Sequence, residues 1–161
     1  MSILLTAFKN TSSEILINSI NGFDRLILEN DKIKSVEQLE RALQNKNFRY
    51  VLSFGQRPVI KDKIYIEDRA SINGEVLKTS FDTASIKQVF CNNKIAVRLS
   101  YNAGTSYCNN IYYHGMKMIA EKRLNTEMVF IHIPFMKNIS SPEAFFRSAE
   151  KGIVDFVSEV I

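Results

Sequence analysis

The chain has 161 residues, 45% of them hydrophobic, which is enough for one domain with a real core and too few for two ordinary ones. Two cysteines make no disulfide scaffold, no Cys-x-x-Cys pair points to zinc or redox work, and no run approaches the roughly 18 apolar residues that span a bilayer. The net charge of +4 is interleaved with acids and apolar residues along the chain, unlike the one-sided basic patch of a nucleic-acid binder. The opening Met1-Ser2-Ile3-Leu4 lacks a basic start, and its apolar run is too short for a signal peptide, so a cytoplasmic protein without membrane or nucleic-acid partners is expected.

In chain order, residues 3–8 are a short apolar run that reads as a buried strand. Ser12 or Ser13 is placed to cap a helix whose apolar face is Ile15, Leu16 and Ile20. A strand over 25–29 follows. Ser35 is expected to cap a helix over 36–44, with Gln38 as its reciprocal partner. Residues 50–54 are a strand ending at Gly55, and 63–70 alternate as a half-exposed strand does. Residues 71–80 read as a loop turned by Asn73-Gly74. A helix over 81–90, a strand over 95–101, a helix over 105–122 and a strand over 128–133 come next. A long helix beginning at Pro142 closes the chain. Strands separated by helices mean a largely parallel, mixed sheet covered on both faces. The expected fold is therefore one three-layer α/β/α domain over 1–161.

Three reactive groups fall at or near strand ends, where open α/β sheets carry their sites: Glu67, Cys108 and His132. A nucleophile, a base and an orienting acid need that arrangement. Cys108 stands at a helix start, where unpaired amides and the positive dipole end favour a thiolate, so a thiol pKa below the ordinary value of about 8.5 is expected. The amides near Tyr107 and Cys108 could hold an oxyanion, and Glu67 would fix the His132 tautomer. Each residue also has a plainer reading. Cys108 shares its helix side with Ile111, Tyr112 and Gly115 and could be a core residue. His132 could be a core histidine bonded to a carbonyl, and Glu67 a solvent-facing charge. Cys91 reads as inert, and His114 lies off the Cys108 face.

At these residues the chain resembles the type I pyroglutamyl peptidases, cysteine peptidases that remove amino-terminal pyroglutamate. Ile3-Leu4-Leu5-Thr6-Ala7-Phe8 is similar to the family's opening I-L-V-T-G-F, and Gly55-Gln56 with Ile64-Tyr65-Ile66-Glu67 to its G-Q and glutamate segments. Asn102-Ala103-Gly104-Thr105 with Cys108-Asn109 resembles N-T-A-G-T-x-x-C-N, and Phe130-Ile131-His132-Ile133-Pro134-Phe135 resembles F-I-H-V-P-[FY]. The resemblance implies a phosphorylase/hydrolase-like fold and a Cys108-His132-Glu67 triad. It implies a lactam pocket formed by Phe8 and the backbone at Gln56, no metal or other cofactor, a peptide or small amide substrate, and assembly into a homo-oligomer, a tetramer or dimer. The chain departs from the pattern in several places. The family's proline-phenylalanine-glycine-glycine is replaced by Lys9-Asn10-Thr11-Ser12, which removes a second ring-packing phenylalanine. Ser106 and Tyr107 stand in the pocket where phenylalanine and valine are common, and Arg69 is the counterpart of an arginine near the oxyanion. The function expected is thiol-dependent hydrolysis of a pyroglutamyl amide. The alternatives are a cysteine amidohydrolase with another substrate and a non-catalytic relative used for binding or assembly.

Overall fold

The computed structural model describes residues 2–160; the ends of the expected domain, Met1 and Ile161, lie outside the described residues. The first strand, β1 (Ile3–Phe8), is apolar enough to be buried on both faces. It leads to α1 (Ser12–Ser19), which is capped one residue earlier than expected. Thr11 takes extended backbone, and its hydroxyl accepts from the Glu14 amide, while Ser12 and Ser13 are buried in the first turn. The buried apolar residues are Leu16 and Ile17 of α1 and Ile20 at its C-cap, and Ile15 is exposed.

After β2 (Asp24–Leu28) comes α2 (Lys32–Asn45). Asp31 caps α2, not Ser35, because its carboxylate accepts from two amides, Ile33 at 2.9 Å and Lys34 at 2.8 Å. Ser35 is buried inside that helix, and the Gln38 carboxamide is spent on the backbone around β2, accepting from Glu29 N and donating to Ile27 O.

The strand β3 (Tyr50–Arg57) runs past Gly55, and β4 (Lys63–Glu67) stops at the glutamate. The expected loop over 71–80 is instead a hairpin, β5 (Arg69–Ile72) with β6 (Glu75–Lys78). Asn73 and Gly74 both take positive φ, 51° and 79°, the geometry that closes a two-residue hairpin. The chain continues through α3 (Thr83–Asn92), β7 (Ala96–Ser100), α4 (Tyr107–Glu121), β8 (Glu127–Pro134) and α5 (Pro142–Val160).

Six strands form one sheet in the order β2-β1-β3-β8-β4-β7. Alternate residues face opposite sides, as the pleat requires. Leu5, Phe54, Val129 and Ile131 pack with Leu16 of α1, Phe90 of α3 and Phe156 of α5. Leu4, Val51, Met128 and Phe130 pack with Leu39 of α2, Ile111 and Tyr112 of α4, and Ala70 of the hairpin. Both faces are thus covered, giving the expected three layers. Among the described residues no helix is long and apolar enough to cross a membrane.

Neighbouring strands are parallel except β4 and β8, which are antiparallel. The sheet is thus largely parallel and mixed, as expected, and its antiparallel pair sets where the end of β4 falls. Glu67 ends β4 opposite Phe130, well inside β8, and so stands over the face of the sheet.

Candidate active site

Cys108 enters at the start of α4. Asn102 Oδ1 accepts from Gly104 N at 3.0 Å, and Gly104 takes φ 88°, a conformation open to glycine without strain. Ser106 then occupies the N-cap in extended conformation but makes no side-chain capping bond, so the first amides of α4 keep no protein cap there. The Asn109 carboxamide grips both backbone groups of Ser71, at 3.1 and 2.9 Å, and ties the hairpin to this helix.

The sulfur lies against β3. A methyl group added at Gly55 would sit 2.5 Å from Cys108 Sγ and 2.7 Å from Phe130 Cζ. Only glycine leaves that space. Gly55 is paired with His132 on the adjacent strand, about 4.8 Å away, and paired positions direct their side chains to the same face. Sulfur and imidazole therefore occupy neighbouring places over β3 and β8.

Behind the ring, His132 Nδ1 is 2.8 Å from Glu67 Oε1, with both side chains buried. A proton on Nδ1 satisfies the carboxylate and leaves Nε2 with its lone pair. The Phe130 ring packs on the imidazole at 4.9 Å between centroids. The Tyr112 hydroxyl donates to the Glu67 carbonyl at 2.8 Å and fixes the end of β4 to α4. Burial raises the Tyr112 pKa, so this donor keeps its proton.

A cavity of about 390 Å³ opens at the sulfur. Phe8, Thr11, Gln56, Ser106, Tyr107 and Phe135 line it together with Cys108. The Phe8 and Tyr107 rings in this lining pack on each other, tilted, at 5.8 Å between centroids. The Gln56 carboxamide oxygen is occupied by Ser12, accepting from its amide at 3.0 Å and its hydroxyl at 3.3 Å.

Arg69 is a correction. It does not line the cavity: its guanidinium is held by its neighbour Asp68, at 2.9 and 2.7 Å, and covers the Tyr101 ring at 5.0 Å. The cation that does reach the site is Arg57, 3.1 Å from Glu67 Oε1. Sequence reasoning passed over it, although the two-residue step from Gly55 puts it on the same strand face. His114 lines a separate surface cleft, and Cys91 is exposed on α3, on the other side of the sheet.

The expected low thiol pKa is also corrected. Burial, helped by the Glu67 charge, pushes Cys108 up to about 12, against the opposing pull of Arg57 and the residue's own amide. The helix start gives a local preference for thiolate, and the 9% exposure of the residue overrides it. The resting thiol carries its proton.

An unfolded thiol ionises near pH 8.5, so from there up to the folded pKa the unfolded chain binds fewer protons than the native one. The stabilisation is whole below that range and is lost as pH rises through it, at about 1.4 kcal/mol per pH unit. Urea unfolding should accordingly show wild type losing roughly 1 to 2 kcal/mol more than Cys108→Ala between pH 8 and pH 10. An equal loss in both proteins would mean that the thiol is not sealed.

Known proteins share this architecture. The fold matches pyroglutamyl peptidase I from Bacillus amyloliquefaciens with a TM-score of 0.85, at 18% identity, covering 98% of this chain and 97% of that one. It matches pyrrolidone carboxyl peptidase from Thermococcus litoralis with a TM-score of 0.82, at 16% identity, covering 99% and 96%. The class so defined is that of the α/β/α pyroglutamyl peptidase fold.

In sequence, the pyroglutamyl peptidase family profile matches residues 61–152, more than half of the chain, and the chain belongs to that family. It is 26% identical over 126 residues to the pyrrolidone-carboxylate peptidase of Fusobacterium nucleatum, a match covering 64% of this chain. The match spans 58% of that curated relative's length.

Proposed function

We propose that this protein is a cysteine omega peptidase that hydrolyses the amide following an amino-terminal pyroglutamyl group. The observation that carries the reading is the sulfur seated over Gly55, beside the His132–Glu67 pair, at the floor of a cavity faced by Phe8 and Tyr107. Family membership supports the same activity.

In this mechanism the flat lactam packs against the aromatic lining of the cavity and presents its exocyclic acyl carbonyl to Cys108. His132 Nε2 takes the thiol proton as sulfur attacks, so ionisation is coupled to bond formation, in keeping with a resting thiol that is protonated. The oxyanion is received by the uncapped amides at the start of α4, each such donor being worth roughly 3 to 4 kcal/mol in hydrolases. His132 returns the proton to the leaving amine as the C–N bond breaks, leaving a thioester. It then draws a proton from water, which attacks the thioester, and the free acid departs with the thiol restored. Glu67 holds the imidazole in the required tautomer throughout.

All of these groups come from one chain, so the homo-oligomer implied by the resemblance enters this reading only as a matter of stability. Two unpaired cysteines suit a reducing compartment, and we assign the protein to the cytoplasm.

One observation favours a wider acyl group. A second cavity of about 510 Å³ shares Asn10, Thr11, Gln56 and Phe135 with the first.

A panel of fluorogenic amides tests the reading. The pyroglutamyl amide should exceed the prolyl and alanyl amides by about 10²-fold or more in kcat/KM, because a site that bonds a lactam leaves polar groups unpaired when the lactam is absent. An amide of the six-membered homologous lactam should also be accepted. Turnover of none of them, or equal turnover of the alanyl amide, would refute the assignment.

A further inference from the structure

We propose that Arg57 is a positioning residue that locks the acid of the triad to the turn delivering the nucleophile. The inference rests on the catalytic reading of Cys108, His132 and Glu67. A single nitrogen, Arg57 Nη1, lies 3.1 Å from Glu67 Oε1 and 2.9 Å from the Asn102 carbonyl oxygen, and donates to both. Asn102 opens the turn through Gly104 and Ser106 into α4, so this carbonyl belongs to the segment that places Cys108. The same guanidinium covers the Tyr65 ring at 5.7 Å, and Tyr65 is paired with His132. One side chain of β3 therefore touches β4 and the β7–α4 turn, and braces the residue beside the imidazole.

The electrostatics require such a brace. The Glu67 side chain is fully buried, and both of its hydrogen bonds fall on Oε1; among the described residues Oε2 has no partner. A carboxylate taken out of water is costly unless paired. His132 and Arg57 are its two ion-pair partners, and the imidazole must be free to be neutral before the attack. Arg57 is the standing positive charge, and being 24% exposed it is moderated but not cancelled by solvent. Its field also reaches the sulfur, where it favours the ionised form.

The test compares Arg57→Gln and Arg57→Lys with wild type by three measurements: kinetics on the pyroglutamyl amide, iodoacetamide labelling of Cys108 at pH 9 with exposed Cys91 as internal reference, and thermal melting. A misplaced base and nucleophile cost on the order of 10²-fold in rate. Arg57→Gln should lose about 10- to 100-fold in kcat with KM within about threefold, and should label more slowly at Cys108 alone. Arg57→Lys, which keeps the charge, should recover part of both. If kcat stays within about twofold, if only KM moves, or if Cys108 labels at the wild-type rate, the assignment is overturned. Should Arg57→Gln fail to fold, Arg57→Lys decides: a measurable loss of kcat with slower Cys108 labelling upholds the brace, and kcat and labelling both equal to wild type count against it. Should wild type leave every amide intact, the proposed function falls and the labelling comparison alone judges Arg57: slower Cys108 labelling upholds the brace, and equal rates reject it.

Discussion

Cys108→Ala should lose about 10⁴-fold or more of kcat/KM toward a pyroglutamyl amide, while Cys91→Ala retains wild-type activity. The size follows from the chemistry. Removing a nucleophile leaves only what the oxyanion donors and the binding cavity contribute over water, and members of a triad act as one unit, so little is left to recover. The fold should survive. The alanine keeps Cβ and deletes one sulfur from a site that already opens into a cavity. Cys91 lies on α3, which packs on the opposite side of the sheet, and has no route to the imidazole. Steady-state kinetics of the two variants against wild type checks this, and comparable losses in both, or none in Cys108→Ala, would remove Cys108 from the mechanism.

Gly55→Ala is the second large effect. The new methyl would lie 2.5 Å from the sulfur, 2.7 Å from Phe130 Cζ and 2.8 Å from Phe130 Cε1, closer than real contacts allow. Phe130 is fully buried between the Tyr112 and His132 rings, so it has little room to retreat. Overpacking of this kind costs about 1 to 3 kcal/mol, and pushing the sulfur aside by an ångström costs on the order of 10²-fold in rate. Combining Gly55→Ala with Cys108→Ala removes one side of the clash. The stability losses should then be non-additive, with the double variant less damaged than the sum by about 0.5 kcal/mol or more, as read from urea unfolding. Strict additivity would mean that the sulfur does not press on Gly55.

Much of this arrangement was legible in the sequence because it depends on local pattern. The apolar runs around Leu5 and Ile131 read as strands because alternate side chains meet a core on each face. Cys108 and His132 were noticeable because each sits where an apolar strand pattern meets a turn or helix start. Strand direction was not legible. Nothing in Lys63–Glu67 encodes that it runs antiparallel to β8, yet that reversal is what brings Glu67 against the imidazole.

The caps moved for an equally physical reason. Thr11 and Asp31 had the extended backbone and the free oxygen, while Ser12 and Ser35 were taken into buried turns. The hairpin over 69–78 was hidden because its strands are only four residues each and β6 is mostly exposed. Arg57 was missed since its partners lie 10 and 45 residues away, whereas Arg69, favoured by resemblance, is captured by the acid next to it. The thiol pKa turned on the same contrast: a helix start is a local feature, and burial is a property of the whole fold.

The central claim is that the Cys108 sulfur becomes the acyl carrier. Wild-type protein mixed with an activated pyroglutamyl ester, quenched in acid within the first turnovers and mapped by peptide mass spectrometry should carry the lactam acyl group on the peptide containing Cys108. That mass should be absent from Cys108→Ala. Acylation of Cys91 alone, or rapid turnover with no adduct on either cysteine and a burst-free time course, would contradict the account.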